Sequence, residues 1–254
     1  MLVLLSPAKR LNEENLQNLD TLKVPLFQSE AEKVNRALKK LTSKKLMALQ
    51  HISADLASQN HLRNQVWNTQ PEAAAYKEAL HLFNGDAYLG LDARTLSPSA
   101  LQFAAQHLRI LSGLYGFLKP FDLIEPYRLE MGTALKIGRS DNLYAFWKKK
   151  ITALIKRDFA GIPIVNLASK EYASVVDFKQ LKNQIIDIEF KDRNAQGEYK
   201  VMSFYAKKAR GMMLRFILEN AIENPEQLVT FDTEGYGYSL SESKGNKLVF
   251  LRDH

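Results

Sequence analysis

The chain has 254 residues, 46% of them hydrophobic and 25% charged, which excludes collagen-like, fibrous and disordered classes and allows one large domain or two small ones. It has no cysteine, so a disulfide framework, a thiolate zinc site, an iron–sulfur cluster and a cysteine nucleophile are all ruled out. Lys and Arg total 35 against 28 Asp and Glu, and the net charge of +7 favours anionic partners such as nucleic acid, nucleotides or phosphorylated metabolites.

Met1 to Leu5 is continuously apolar and stops at Ser6-Pro7, the pattern of a buried strand. The run is too short for a signal peptide and no basic residue precedes it. No apolar run approaches the roughly 18–20 residues that cross a bilayer. A cytoplasmic protein without membrane association is expected. A polar, irregular stretch then extends through Pro25.

Helical spacing dominates from about Ser29 to His107. Ser29 is expected as an N-cap ahead of first-turn acids. Leu38, Leu41, Leu46, Leu49, Ile52 and Leu56 recur at helical intervals. Pro71-Glu72 opens a further helix with Ala75, Leu80 and Phe83 facing inward. Asn84-Gly85-Asp86 breaks it, and Ala87 to Leu91 reads as extended. Ser97-Pro98-Ser99 starts a helix that carries Leu101, Phe103, Ala104, Leu108 and Leu111. Pro120, Pro126 and Gly132 interrupt the chain. A helix over Leu143 to Phe159 then ends before Gly161 and Pro163.

The second half turns β-rich. Ile164 to Leu167 is a short apolar strand. Gln184 to Phe190 and Tyr199 to Ala206 read as two strands, and the polar loop between them, with Gly197, makes the pair a hairpin. A helix follows over Lys207 to Ala221. Leu228 to Phe231, Tyr236 to Leu240 and Lys247 to Leu251 are the last strand candidates. Repeats, low-complexity tracts and linkers are absent from the sequence. The expected class is α/β (mixed α+β): one compact domain over 1–254 with a helical first half and a β-rich second half.

Several segments can carry chemistry. In Ser203 to Gly211 a β-like run feeds a helix start holding Lys207, Lys208 and Arg210. A helix N-terminus offers unpaired N–H groups and partial positive charge, so a phosphate there would meet donors, dipole and three cations together. The competing reading is a solvated cationic turn. Gly211 inside a helix costs about 1 kcal/mol against Ala, which points to close approach by another element. In Leu111 to Lys119, Gly113 and Gly116 can expose backbone N–H groups to a phosphate, the basis of a helix-hairpin-helix. Here the glycines are three apart instead of two, and Pro120 falls where the second helix would run. A glycine-rich helix corner is an equal reading.

Lys9 and Arg10 follow the first strand, where open α/β sheets bind ligands. Ser6 and Lys9 also spell the S-x-x-K nucleophile pattern, but it follows a strand and lacks its S-D-N and K-T-G companions. Lys9 and Arg10 are therefore retained as anion contacts. Asp86, Glu130 and Glu171 would serve as general acids or bases if half-buried, and Tyr127, Tyr172 and Tyr205 would stack on bases. Isolated carboxylates and tyrosines serve equally as structural partners, and Arg128 with Glu130 as an ion pair. Lys148-Lys149-Lys150 and Lys156-Arg157 decorate one helix, as a solvated face or a nonspecific polyanion surface. His51, His61, His81, His107 and His254 show no ligand spacing, so no metal and no cofactor are expected.

Six segments, in order over essentially the whole chain, together resemble the peroxide-stress YaaA family. They are Leu4 to Lys9, Phe83 to Tyr88, Leu111 to Gly116, Pro126 to Gly132, Asn166 to Ser169 and Ser203 to Gly211. The resemblance implies a cytoplasmic protein that protects against hydrogen peroxide by limiting free iron and hydroxyl-radical damage to DNA. It also implies a mixed α/β fold of unusual topology, a positively charged cleft and a helix-hairpin-helix-like element, here on Ser112 to Gly116. DNA is the implied partner, in duplex or branched form and without sequence specificity. The cleft is expected to be lined by Lys9, Lys207, Lys208 and Arg210. The alternatives are an enzyme acting on a nucleobase, nucleotide or damaged DNA, and an iron-binding protein. The iron-binding reading is disfavoured by the absence of cysteine and of any ligand spacing.

Overall fold

The apolar run at the start of the chain forms β1 (Leu2–Leu5), with all four residues fully buried. The computed structural model describes residues 1–14, 23–68 and 76–253. A helical region follows: α1 (Gln28–Lys39), α2 (Ser43–Gln50) and α3 (Ala54–Val66). Next come β2 (Lys77–Glu78), α4 (Ala79–Leu82), α5 (Asp86–Leu91) and α6 (Pro98–His107). The middle of the chain holds β3 (Leu108–Ser112), β4 (Gly116–Leu118), β5 (Leu123–Ile124), α7 (Leu143–Asp158) and β6 (Ile164–Asn166). The rest comprises α8 (Lys170–Ala173), β7 (Ile185–Arg193), β8 (Tyr199–Lys200), α9 (Ser203–Glu219), β9 (Gly237–Tyr238) and β10 (Lys247–Arg252).

Among the described residues the main sheet runs β4-β3-β1-β6-β7-β10-β9, with β8 on β7, and β2 pairs β5 separately. β3, β1, β6, β7 and β10 are mutually parallel, and Val3 sits between Leu108 and Val165. A parallel strand in mid-sheet is covered on both faces, which is why β1 has no polar alternation. β7 does alternate: Ile186, Ile188, Phe190 and Asp192 are buried and their neighbours are not. Phe190, Tyr236 and Phe250 pack around one another with ring centroids 5.1 and 5.5 Å from Phe190, and Phe231 closes the group. The fold is mixed α/β with one continuous hydrophobic core.

Connections decide where the site lies. The chain leaving β1 returns at β3 on one side, while the chain leaving β6 returns at β7 on the other. Neighbouring parallel strands whose exits diverge leave a crevice beyond their carboxyl ends.

The segments expected as strands at the chain start, at Ile164 and at Lys247, the hairpin of β7 with β8, and the helix now seen as α7 are all present. Others differ. The helix from Ser97 stops at His107, and Leu108–Ser112 is a buried strand beside β1. A short apolar run has no period of its own and takes the form its neighbours pair with. Ser112 to Gly116 consequently links two antiparallel strands, β3 and β4, and not two helices. The helix-hairpin-helix expectation is corrected on this ground.

Residues 86–91 form α5 instead of an extended piece. Ser203 to Ala206 are the first turn of α9 and not a strand end, so Lys207 lies in the second turn. Leu228 belongs to a 3-10 helix, Pro225–Thr230, with Phe231 just beyond it. Phe27, not Ser29, precedes α1, and the Ser29 hydroxyl bonds Glu30 instead. Pro71, Glu72 and Ala75 lie outside the described residues. Among the described residues no helix is long and apolar enough to cross a membrane.

Helices α5 and α9 pack most closely of all. A methyl group on Gly211 would overlap the Ala87 carbonyl, and one on Gly90 would overlap the Lys208 carbonyl. The two backbones therefore touch, as the placement of Gly211 in a helix suggested. Gly211→Ala should destabilise the protein by about 1–3 kcal/mol through overpacking, despite the better helix propensity of Ala. Urea unfolding measures this, and a variant as stable as the parent would refute the backbone contact.

Candidate phosphate-binding cleft

The crevice beyond β1 and β6 holds a cavity of about 690 Å3. Its base is a join between the two strand exits. Ser6, the residue after β1, accepts the Ser169 N–H at 2.8 Å and donates its hydroxyl to Ser169 Oγ at 3.3 Å. Tyr88 of α5 donates its hydroxyl to the Ser6 carbonyl at 3.0 Å. Burial raises the Tyr88 and Tyr172 hydroxyls well above their ordinary range. Both are thus neutral walls of the cavity.

Charged side chains from four parts of the chain ring this base: Lys9 and Arg10 after β1, Asp86 of α5, Lys170 and Glu171 of α8, and Lys207 and Arg210 of α9. Lys9 Nζ is 2.7 Å from Glu130 Oε2, and Glu130 also accepts from Arg128 at 3.3 Å. Arg10 lies 3.7 Å from Asp86, and both Lys9 and Arg10 are largely exposed. Glu171 is turned toward a backbone donor and accepts the Gly132 N–H at 2.8 Å. Lys170, Lys207 and Arg210 have no carboxylate at ion-pair distance among the described residues.

Arg210 is half-buried. Burial pulls its guanidinium below the ordinary value, and Glu189 of β7 opposes that pull. A guanidinium stays charged at neutral pH regardless. A half-buried charge with only a distant carboxylate to offset its lost water is favoured to take an anionic partner. A second cavity of about 660 Å3 adjoins the first, and Lys170 and Arg210 line both. In it Lys247 pairs with Glu189 at 2.9 Å, and Asn166 donates to Asp187 at 2.8 Å.

Of the site residues expected from sequence, Lys9, Arg10, Asp86, Glu171, Lys207 and Arg210 line one cavity, and Glu130 joins them through Lys9. Three do not. Lys208 points away and pairs with Glu234 at 2.6 Å. Gly113 and Gly116 are buried, and the Gly113 carbonyl accepts from Trp147 Nε1 at 2.9 Å. A Cβ on Gly116 would enter the Trp147 ring, and one on Gly113 would overlap Leu129. Both glycines make room for core side chains and backbone, leaving no surface for a phosphate. Tyr127 is likewise core, its hydroxyl 2.6 Å from Ser112 Oγ.

Ser169, Lys170 and Phe204, from two of the chemistry-bearing segments, and Tyr88 also line the cavity, though the sequence assigns none of them a role there. Phe204, Lys207 and Arg210 repeat every third residue, a signal that becomes visible only once the helix is known to start at Ser203.

The family model of the peroxide stress protein YaaA matches residues 1–242, a span holding every lining residue of the cleft. The chain belongs to this family. Relatives of the YaaA-family chain extend over its whole length. A UPF0246 protein of Aliivibrio fischeri (strain MJ11) is 44% identical over 256 residues, covering 100% of this chain and 98% of its own. UPF0246 proteins of Shewanella piezotolerans and Shewanella loihica are each 45% identical, covering 100% of this chain and 99% of theirs.

One carboxylate of this YaaA-family chain titrates far from the cleft. Burial pushes Glu125 from 4.5 up to about 7, against the Asn68 N–H it accepts at 3.1 Å. The folded state then holds a proton that the unfolded chain releases, so stability falls as pH rises from about 4.5 to about 7. Glu125→Gln keeps the acceptor and removes this penalty. It should unfold at higher denaturant than the parent at about pH 8, with the gain vanishing near pH 4.5. A gain equal at both pH values would contradict the assignment.

Proposed function

We propose that this peroxide-stress protein binds DNA in its cationic cleft, holding phosphates without reading bases, and thereby limits oxidative damage to DNA in the cytoplasm. The supporting observation is the convergence of Lys9, Arg10, Lys170, Lys207 and Arg210 on one cavity, three of them without a carboxylate partner. Phosphate oxygens suit this set. Guanidinium and ammonium groups donate to them strongly, and the diffuse charge of +7 adds long-range attraction. In this reading the link to iron is made on the DNA. Neutralising phosphates expels condensed cations from the strand, and a ferrous ion displaced in this way no longer generates radicals beside a base.

A second reading draws on the cavity itself. Its volume is that of a small-ligand site, and Asp86 and Glu171 face it. An enzyme acting on a nucleobase or nucleotide would use one of them as acid or base. Incubation with free nucleosides and damaged oligonucleotides, followed by chromatography, tests for turnover.

For the DNA reading, affinity should fall with salt by about 0.9 logarithmic units per phosphate neutralised on duplex DNA. The Lys207→Ala/Arg210→Ala variant should bind more weakly and with a slope shallower by about 1.8, two phosphates' worth. Lys208→Ala should match the parent, because Lys208 is held by Glu234. Fluorescence anisotropy over a salt series measures both. Unchanged binding by a folded double variant would overturn the assignment.

A further inference from the structure

We infer that Phe204 is a stacking platform for one unpaired base of a DNA strand at the mouth of the cleft. The inference rests on the DNA-binding reading and adds which DNA is preferred: strands with an unpaired nucleotide, ahead of continuous duplex.

Phe204 is 59% exposed, although it sits in the first turn of a helix that buries Ala206, Ala209, Met212, Met213 and Ile217. It lies off that buried face and lines the cavity with Lys207 and Arg210. Residues three apart are neighbours on a helix surface, so the ring and the two cations form one stripe. An exposed ring bordered by partnerless cations suits no apolar protein surface, which would leave those charges facing hydrocarbon. It does suit a base with a phosphate beside it. Aromatic rings set in a cationic groove are how sequence-tolerant proteins hold single strands. A paired base inside a duplex already stacks on both faces, so away from the duplex ends only an unpaired one can offer a face to Phe204.

The ring has an aromatic neighbour. Tyr205 meets it edge-on at 5.6 Å and 69°, and the Arg252 guanidinium lies 5.0 Å from the centre of the Tyr205 ring. Beyond the Phe204 ring, Arg210 and Lys170 stand on the divide between the cavities of about 690 and 660 Å3. Cations at that divide would meet the phosphate that joins two successive nucleotides.

The experiment compares the full chain and Phe204→Ala on two probes at one salt concentration: a short single strand carrying 2-aminopurine, and a blunt duplex of equal length. The parent should bind the single strand more tightly and quench 2-aminopurine by stacking. Phe204→Ala should lose about tenfold or more on the single strand, lose the quenching, and keep its duplex affinity. Phe204→Trp should restore both binding and quenching. Equal losses on both probes, or none on either, would overturn the inference, as would a change in sedimentation pointing to a protein contact. If the parent binds the duplex but shows no single-strand preference, only this inference fails. If it binds neither probe, the DNA reading fails with it.

Discussion

Ser6 and Ser169 join two strand exits that would otherwise part. β1 and β6 are adjacent and parallel, but the chain leaves them in opposite directions. The gap between those exits is a crevice only while its base stays closed. The Ser6 hydroxyl closes it by accepting the Ser169 N–H and facing its Oγ. Tyr88 then ties α5 to the same point through the Ser6 carbonyl. Glycine does the rest. Gly90 and Gly211 let α5 and α9 touch backbone to backbone, which brings Asp86 on one helix and Lys207 and Arg210 on the other to one cavity. These few contacts bring together the elements that carry the charged groups of the cleft.

The charges within the cleft divide into two kinds. Lys9 and Arg10, both well exposed, have carboxylates nearby in Glu130 and Asp86. Exposed pairs of this sort contribute little to stability and exchange partners readily. Arg210 is the opposite case, half-buried and without a carboxylate at ion-pair distance among the described residues. Nothing in the folding of the chain requires it there, since an apolar residue would be easier to desolvate. A half-buried cation offset only by the more distant Glu189 is a group whose desolvation an anionic ligand would relieve. The contrast also explains why Lys208, one residue after Lys207, plays no part. It lies round the helix and is neutralised by Glu234.

Much of the fold is legible in the residues because period and environment agree. β1 is apolar at every position and occupies the one kind of strand that is covered on both faces. α7 shows a clean apolar stripe, and its limits lie within one residue of those expected. Leu108 to Leu111 fails for the opposite reason. Four residues fit a helix continued from α6 as well as a strand, and only pairing with β1 decides. Glycines show the limit most sharply. Gly211 indicates close approach, and Ala87 is what approaches. Gly113 and Gly116 suggest the same for a phosphate, yet Leu129 and Trp147 are what fill the space. A glycine announces that something comes near, but the identity of that neighbour is a property of the whole fold.

The helix start at Ser203 changes the physics of the cleft more than any other displacement. With Lys207 at the helix N-terminus, a phosphate would be held by backbone donors and the dipole, and the cations would add to a site already made. With the start four residues earlier, Lys207 and Arg210 project from the flank of α9, and the dipole contribution falls away within the first turn. Attraction in the cleft is then carried by side chains. Side chains can follow a flexible, irregular strand, whereas a ring of backbone N–H groups demands one fixed phosphate position. The first turn of α9 is given instead to Phe204 and Tyr205, which lie beside those cations. The cleft therefore pairs side-chain charge with an exposed aromatic ring, a combination matched to a nucleic-acid strand whose backbone bends and whose bases are free to turn outward.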